Sequence, residues 1–224
     1  MSRLATSDLG TKMVRHARVE LALHTLRSTD GPSLLLLHGL GGSSPETVPT
    51  DAVAWPGSVH ALDFGGHGQS AVPAGAGYTC EILMGDADTA LQELGPCTVL
   101  GRGLGGYIAL LIAGARPELV RGAIIADGNG LAGGGIRPGS GHIDYPYPAT
   151  AATTPDPFAL LELSCDVRPR DYAVSFVQMA VHLSPLDAPI TVSALIRPPW
   201  LQAVVESFGV RVADIGHALA SYAR

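Results

Sequence analysis

An α/β fold built on a doubly wound, mostly parallel sheet is what this chain predicts, and three observations predict it. Short apolar runs at Leu34 to Leu37, Val59 to Leu62, Thr98 to Gly101 and Ala123 to Ala126 have the continuous hydrophobicity of strands covered on both faces. Between them lie longer stretches with helical spacing of apolar residues, so strand and helix alternate. The composition agrees: 46% of the 224 residues are hydrophobic and only 15% are charged, as a fully covered sheet in one domain requires.

The elements follow in order. Val14 to Leu26 alternates, with Val19, Leu21 and Leu23 on one face, and reads as an antiparallel opening hairpin. The Leu34, Val59, Thr98 and Ala123 runs are then strands three to six. Cys80 to Leu94 places Ile82, Leu83, Ala87, Ala90, Leu91 and Leu94 at helical spacing, and Leu104 to Ala115 is almost wholly apolar, as a central helix would be. After Asp127 the pattern gives way to a Gly- and Pro-rich loop, Gly128 to Pro148. Pro157 to Val167 and Arg168 to Leu183 read as helices, Pro189 to Leu195 as strand seven, Pro198 to Phe208 as a helix opened by proline, and Val210 to Ile215 as strand eight.

Motifs fall on the strand ends. Ser33 to Leu37 runs into His38-Gly39-Leu40-Gly41-Gly42, and Asp63 to Ser70 follows the fourth strand as DxxGxGxS. Gly101-Arg102-Gly103-Leu104-Gly105 joins strand five to the apolar helix, and Gly216-His217 follows the last strand. In this order, together with Arg116 to Asp127, these segments resemble the α/β-hydrolase superfamily. The match is dense from Ser33 to Asp127, thinner from Val210 onward and poor between. The resemblance implies an α/β-hydrolase fold: about eight mostly parallel strands, helices on both faces and a short helical cap. The chain then divides into a single domain over 1–224 with a loop and cap insertion over 128–187.

The resemblance also assigns roles. The turn at Gly103 is a GxSxG nucleophile elbow in which the central serine is replaced by glycine, so the position carries no group able to attack a carbonyl. The elbow conformation strains a residue with a β-carbon by about 1–3 kcal/mol, and glycine relieves that strain. The backbone N–H groups of Leu40 and Leu104 would form the oxyanion hole, which survives loss of the side chain at 103. His217 matches the general base. The loop after strand seven contains no carboxylate, so Asp127, at the end of strand six, is the substitute acid, with capping of a loop as its alternative role. Asp63, His38 and His67 belong to the loop motifs and read as structural, and Asp214 is set aside as a strand neighbour pointing away from His217.

Other function classes are disfavoured. The net charge is −6, Lys12 is the single lysine, and there is no basic cluster, so nucleic acid is not an expected partner. The opening residues lack a cleavable signal and no apolar run reaches bilayer length, which predicts a cytoplasmic chain without membrane contact. Three cysteines without CxxC spacing point to neither disulfides nor zinc, and no cofactor or metal is implied. Three functions remain. The leading one is a degenerate, non-catalytic hydrolase homologue that binds a small apolar ligand or a partner in the former pocket, with Trp200 as a candidate filler; a protein partner or homo-oligomer stays open. The alternative is an enzyme using His217 and Asp127 as general base, with the oxyanion hole but no covalent intermediate, on a small ester, lactone or carbonyl compound. The third is an esterase or lactonase attacking through Ser43, Ser44 or Cys165.

Overall fold

A computed structural model describes residues 9–75, 77–134 and 154–223. Eight strands form one sheet: β1 (Gly10–His16), β2 (Val19–Arg27), β3 (Ser33–Leu37), β4 (Val59–Leu62), β5 (Cys97–Arg102), β6 (Val120–Ala126), β7 (Ile190–Val192) and β8 (Val210–Val212). Their spatial order is β1-β2-β4-β3-β5-β6-β7-β8. The β1–β2 and β2–β4 pairs are antiparallel, and every other pair is parallel. This is the mostly parallel, eight-stranded α/β architecture that the alternating pattern predicts.

The helices are α1 (Cys80–Leu94), α2 (Leu104–Ala115), α3 (Pro157–Cys165), α4 (Arg170–Leu183), α5 (Pro199–Val205) and α6 (Ile215–Tyr222). Local chemistry sets several of their ends. The Thr79 hydroxyl accepts from the Ile82 N–H to start α1, and Gly95, at φ 77°, ends it. Pro199 opens α5, where its missing N–H costs nothing. Two apolar layers cover the sheet. One includes α1, α2, α4 and α5, with Leu35, Leu37, Val99 and Ile125 beneath them; the other includes α6, with Leu34, Leu36, Leu100 and Ile124 beneath it.

Several elements are shorter than the sequence pattern suggests, strand seven and α5 among them. Strand eight stops at Val212 rather than Ile215, because the Asp214 carboxylate accepts from the His217 N–H at 2.9 Å and caps α6. Helix α4 packs against α2 and α5 and buries Ala173, Phe176, Val177 and Ala180, so of the two helices among the described residues between β6 and β7 it is α3 that lines the cleft at the strand ends. The expected loop beyond Gly134 lies outside the described residues.

Register places the functional loops. Leu37 pairs with Gly101 across β3 and β5, and Arg102 pairs with Ala126 across β5 and β6. The loops after β3, β5 and β6 therefore leave the sheet side by side at its carboxyl edge, the usual site of ligand binding in open α/β sheets.

Candidate active site

Gly103 sits between β5 and α2 at φ 58° and ψ −120°, a conformation that side chains rarely adopt. The strand-to-helix turn is as tight as an elbow must be: a β-carbon on Gly101 would lie 2.0 Å from the Gly105 carbonyl oxygen. Beside it, the HG loop brings the Leu40 N–H toward the Leu104 N–H. Both donate to one acceptor, the backbone carbonyl of Asn129, at 3.0 and 2.9 Å. The two N–H groups expected to form an oxyanion hole thus converge, and they do so on the chain's own peptide oxygen.

That oxygen also fills the side-chain space of the elbow. A β-carbon on Gly103 would lie 2.0 Å from the Asn129 oxygen and 2.5 Å from the Gly128 carbonyl carbon. Glycine at 103 therefore does more than relieve strain, because it admits the segment after β6. One on Gly39 would meet the same oxygen at 2.9 Å, so both facing loops carry glycine at the contact.

The segment from Asp127 to Gly134, here called the strap, is fixed along its length. The Leu131 carbonyl accepts from Trp200 Nε1 at 3.0 Å and from Arg168 Nη1 at 2.6 Å, while the Leu131 side chain is buried. The Gly134 N–H donates to the Asp166 carbonyl at 2.7 Å. Arg168 is itself buried, with its guanidinium carbon 4.5 Å from the centre of the Tyr107 ring, which makes an edge contact with Trp200. Trp200 thus supports the strap, and backbone rather than indole lies against the Leu40 and Leu104 N–H groups.

Asp127 and His217 are not hydrogen-bonded to each other. The Asp127 carboxylate accepts from the Leu195 and Ile196 N–H groups at 2.8 and 3.0 Å, tying down the loop after β7. His217 lies in the first turn of α6 with its side chain 83% exposed, and its Nδ1 is bonded to the Asp214 carboxylate. The His217 N–H and ring hold the Asp214 carboxyl below the usual carboxylate range. The helical turn is what joins residues 214 and 217; on a continued strand they would have stood apart.

The remaining motif residues build the loops. His38 Nε2 accepts from the Phe64 N–H, and its Nδ1 bonds the Gly39 carbonyl. Burial, with the neighbouring His67, lowers its pKa to about 4 and keeps the ring neutral. Asp63 accepts from the Ser44 and Gln69 N–H groups and bonds His24. Burial pushes its pKa upward, but these hydrogen bonds outweigh it and hold the carboxyl below its ordinary value. Of the alternative nucleophiles, Cys165 is exposed at the end of α3. Among the described residues, no cluster of three or more His, Cys, Asp or Glu side chains could hold a metal, and no helix is long and apolar enough to cross a membrane.

A cleft of about 520 Å³ remains above the strap, lined by Leu40, Gly130, Leu131, Leu160, Ser164 and Ile196 among others. Asn129 and Arg168 escaped sequence reasoning. The only signal was the glycine density of Asp127 to Gly135, which marks a loop without saying where it goes.

A sheet with this strand order, a tight glycine turn after β5 and two converging backbone donors make up the α/β-hydrolase fold, and the curated relatives that the chain resembles over part of their length include an esterase and a lipase. No protein-family model matches it. It is 33% identical over 98 residues to the esterase Rv0045c of Mycobacterium tuberculosis, covering 43% of this chain and 33% of that protein. It is 32% identical over 114 residues to the sn-1-specific diacylglycerol lipase ABHD11 of Mus musculus, covering 49% and 36%. The matched segments thus span about a third of these relatives. A thioesterase domain from the curacin biosynthetic pathway has the same fold, with a TM-score of 0.65 at 17% identity over 97% of each chain.

Proposed function

We propose that this protein is a non-catalytic α/β-hydrolase homologue that binds a small apolar ligand in the cleft between the strap and α3. One observation carries the reading: the Asn129 carbonyl takes the hydrogen bonds of both Leu40 and Leu104 and fills the space of a side chain at 103. An acyl-transfer site needs those donors free for the developing oxyanion and a nucleophile beside them. Here neither is available, while the cleft above retains a volume suited to a small ligand and a lining rich in Leu and Ile. The general-base alternative needs an oriented histidine together with the hole. The Asp214–His217 pair supplies orientation, but with the hole closed there is no site to stabilise the charge the reaction develops.

The test is turnover of p-nitrophenyl butyrate by the protein and by Gly103→Ser, beside titration with the apolar dye 1-anilinonaphthalene-8-sulfonate. Neither form is expected to exceed the buffer rate, and the dye is expected to bind saturably and to be displaced from a Leu160→Glu variant. Turnover by the unaltered protein that disappears in His217→Ala would overturn the reading.

A further inference from the structure

Thr11, His24 and Asp63 are joined in a row, and none of the three lines the strap cleft. Thr11 and His24 stand opposite one another across β1 and β2, with Thr11 Oγ1 2.8 Å from His24 Nδ1. His24 Nε2 in turn lies 3.0 Å from Asp63 Oδ2. Asp63 is buried, and its two oxygens also accept from the Ser44 and Gln69 N–H groups, so the loops around it fix the carboxylate. An ionised carboxylate only accepts, and it therefore sets the imidazole: Nε2 carries the hydrogen that meets Asp63, and Nδ1 is left to accept from the Thr11 hydroxyl. The row has the hydroxyl, imidazole and carboxylate order that activates a weak nucleophile, and both contacts are within the reach this requires. Its two ends differ. Asp63 is withdrawn from water, whereas Thr11 is exposed on the terminal strand of the sheet. Met13, on the same face of β1, is 47% exposed, and Leu9, just before the strand, is 69% exposed.

We propose that Thr11 is an acyl-acceptor site, at which an activated aryl ester with a short apolar acyl chain transfers that chain to the protein itself. Thr11 Oγ1 attacks the ester carbonyl as its proton passes to His24 Nδ1, and the Asp63 carboxylate stabilises the imidazolium. Collapse of the tetrahedral adduct breaks the bond to the phenol oxygen, which leaves with that proton. The products are a threonine ester and a phenol, and His24 is neutral again. Leu9 and Met13 offer apolar surface beside the hydroxyl for the acyl chain. The reaction stops at one acyl group, because the threonine ester would have to expel an alkoxide, a far poorer leaving group than a phenolate. Hydrolysis of such an ester calls for a preorganised oxyanion site, and the pair of N–H groups expected to form one is held by Asn129. A single transfer to the chain is not turnover, so the function proposed for the strap cleft plays no part in this assignment.

The probe is p-nitrophenyl butyrate, with labelling followed by intact mass and located by peptide mapping. One butyryl group per chain, on Thr11, is expected in the folded protein, and none on Thr11 in concentrated urea. His24→Gln should slow the labelling by about a hundredfold or more, the lower end of what a positioned general base supplies. Thr11→Ser should keep the label. Thr11→Val should lose it, and because valine suits an exposed strand position its circular dichroism should match that of the unaltered protein, which keeps the test decisive where His24→Gln is unstable. Butyryl found on the neighbouring Lys12 instead, no label on Thr11, equal labelling in urea, or an undiminished rate in folded His24→Gln would overturn the proposal.

Discussion

At the scale of the residue, Gly103 concentrates the difference between this chain and an acyl-transfer enzyme. In the reading proposed above its missing side chain leaves no nucleophile, and its missing β-carbon leaves room for the Asn129 carbonyl against the Leu40 and Leu104 N–H groups. The two effects have one cause, since the space that would hold a β-carbon holds backbone instead. Gly103→Ala is therefore expected to destabilise the fold by about 2–4 kcal/mol, from overpacking together with strain at a positive φ. Urea unfolding measures it; a loss below 0.5 kcal/mol, on the order of an ordinary surface change, would mean that the strap yields readily.

At the scale of the element, the strap behaves as an internal ligand. Its acceptors meet donors from β3's loop, α2, α5 and the residue pair before α4, so four parts of the fold converge on eight residues, 127–134. Trp200→Phe keeps the aromatic contact with Tyr107 and removes one donor to Leu131. Such a bond is worth about 1 kcal/mol, so opening of the strap should become roughly five- to tenfold more frequent. Hydrogen exchange of the Leu40 and Leu104 amides reads this directly, because both are protected by Asn129. Unchanged exchange at both positions, with the fold intact, would show that Trp200 does not hold the strap closed.

At the scale of the whole molecule, buried histidines set the response to acid. Burial holds the pKa of His38, His60 and His67 below the ordinary 6.5, to about 4 at His38. As pH falls from about 6.5 toward 4, the unfolded chain takes up protons that the folded chain refuses, so stability declines through that window. His16 opposes this. Its hydrogen bond to Asp86 raises its pKa, and the stability it adds is present below 6.5 and lost as pH rises through the raised value. Three groups against one give a melting temperature lower at pH 4.5 than at pH 7.5, which thermal unfolding by circular dichroism checks. A His38→Gln variant should show a shallower fall between those pH values; an equal fall would place the acid response elsewhere.

The local pattern was legible in the sequence wherever one segment decides its own fate. Continuous apolar runs marked the strands, Cys80 to Leu94 marked its helix to the residue, and the glycines of the elbow and HG loop marked the turns, because periodicity and backbone sterics act over a few residues. Those motifs also located the Leu40 and Leu104 donors and the glycine at 103. What meets those donors was decided only by the tertiary structure. The Asn129 contact joins residues 89 and 25 positions apart through a backbone oxygen, which every residue type carries and no motif marks. The same holds for Asp127, whose carboxylate serves the loop after β7 rather than His217, and for Asp214, which reaches His217 because a helix begins there. The order of residues determined the scaffold and the glycine at the turn; long-range packing determined that the space beside that glycine is filled by the chain's own backbone.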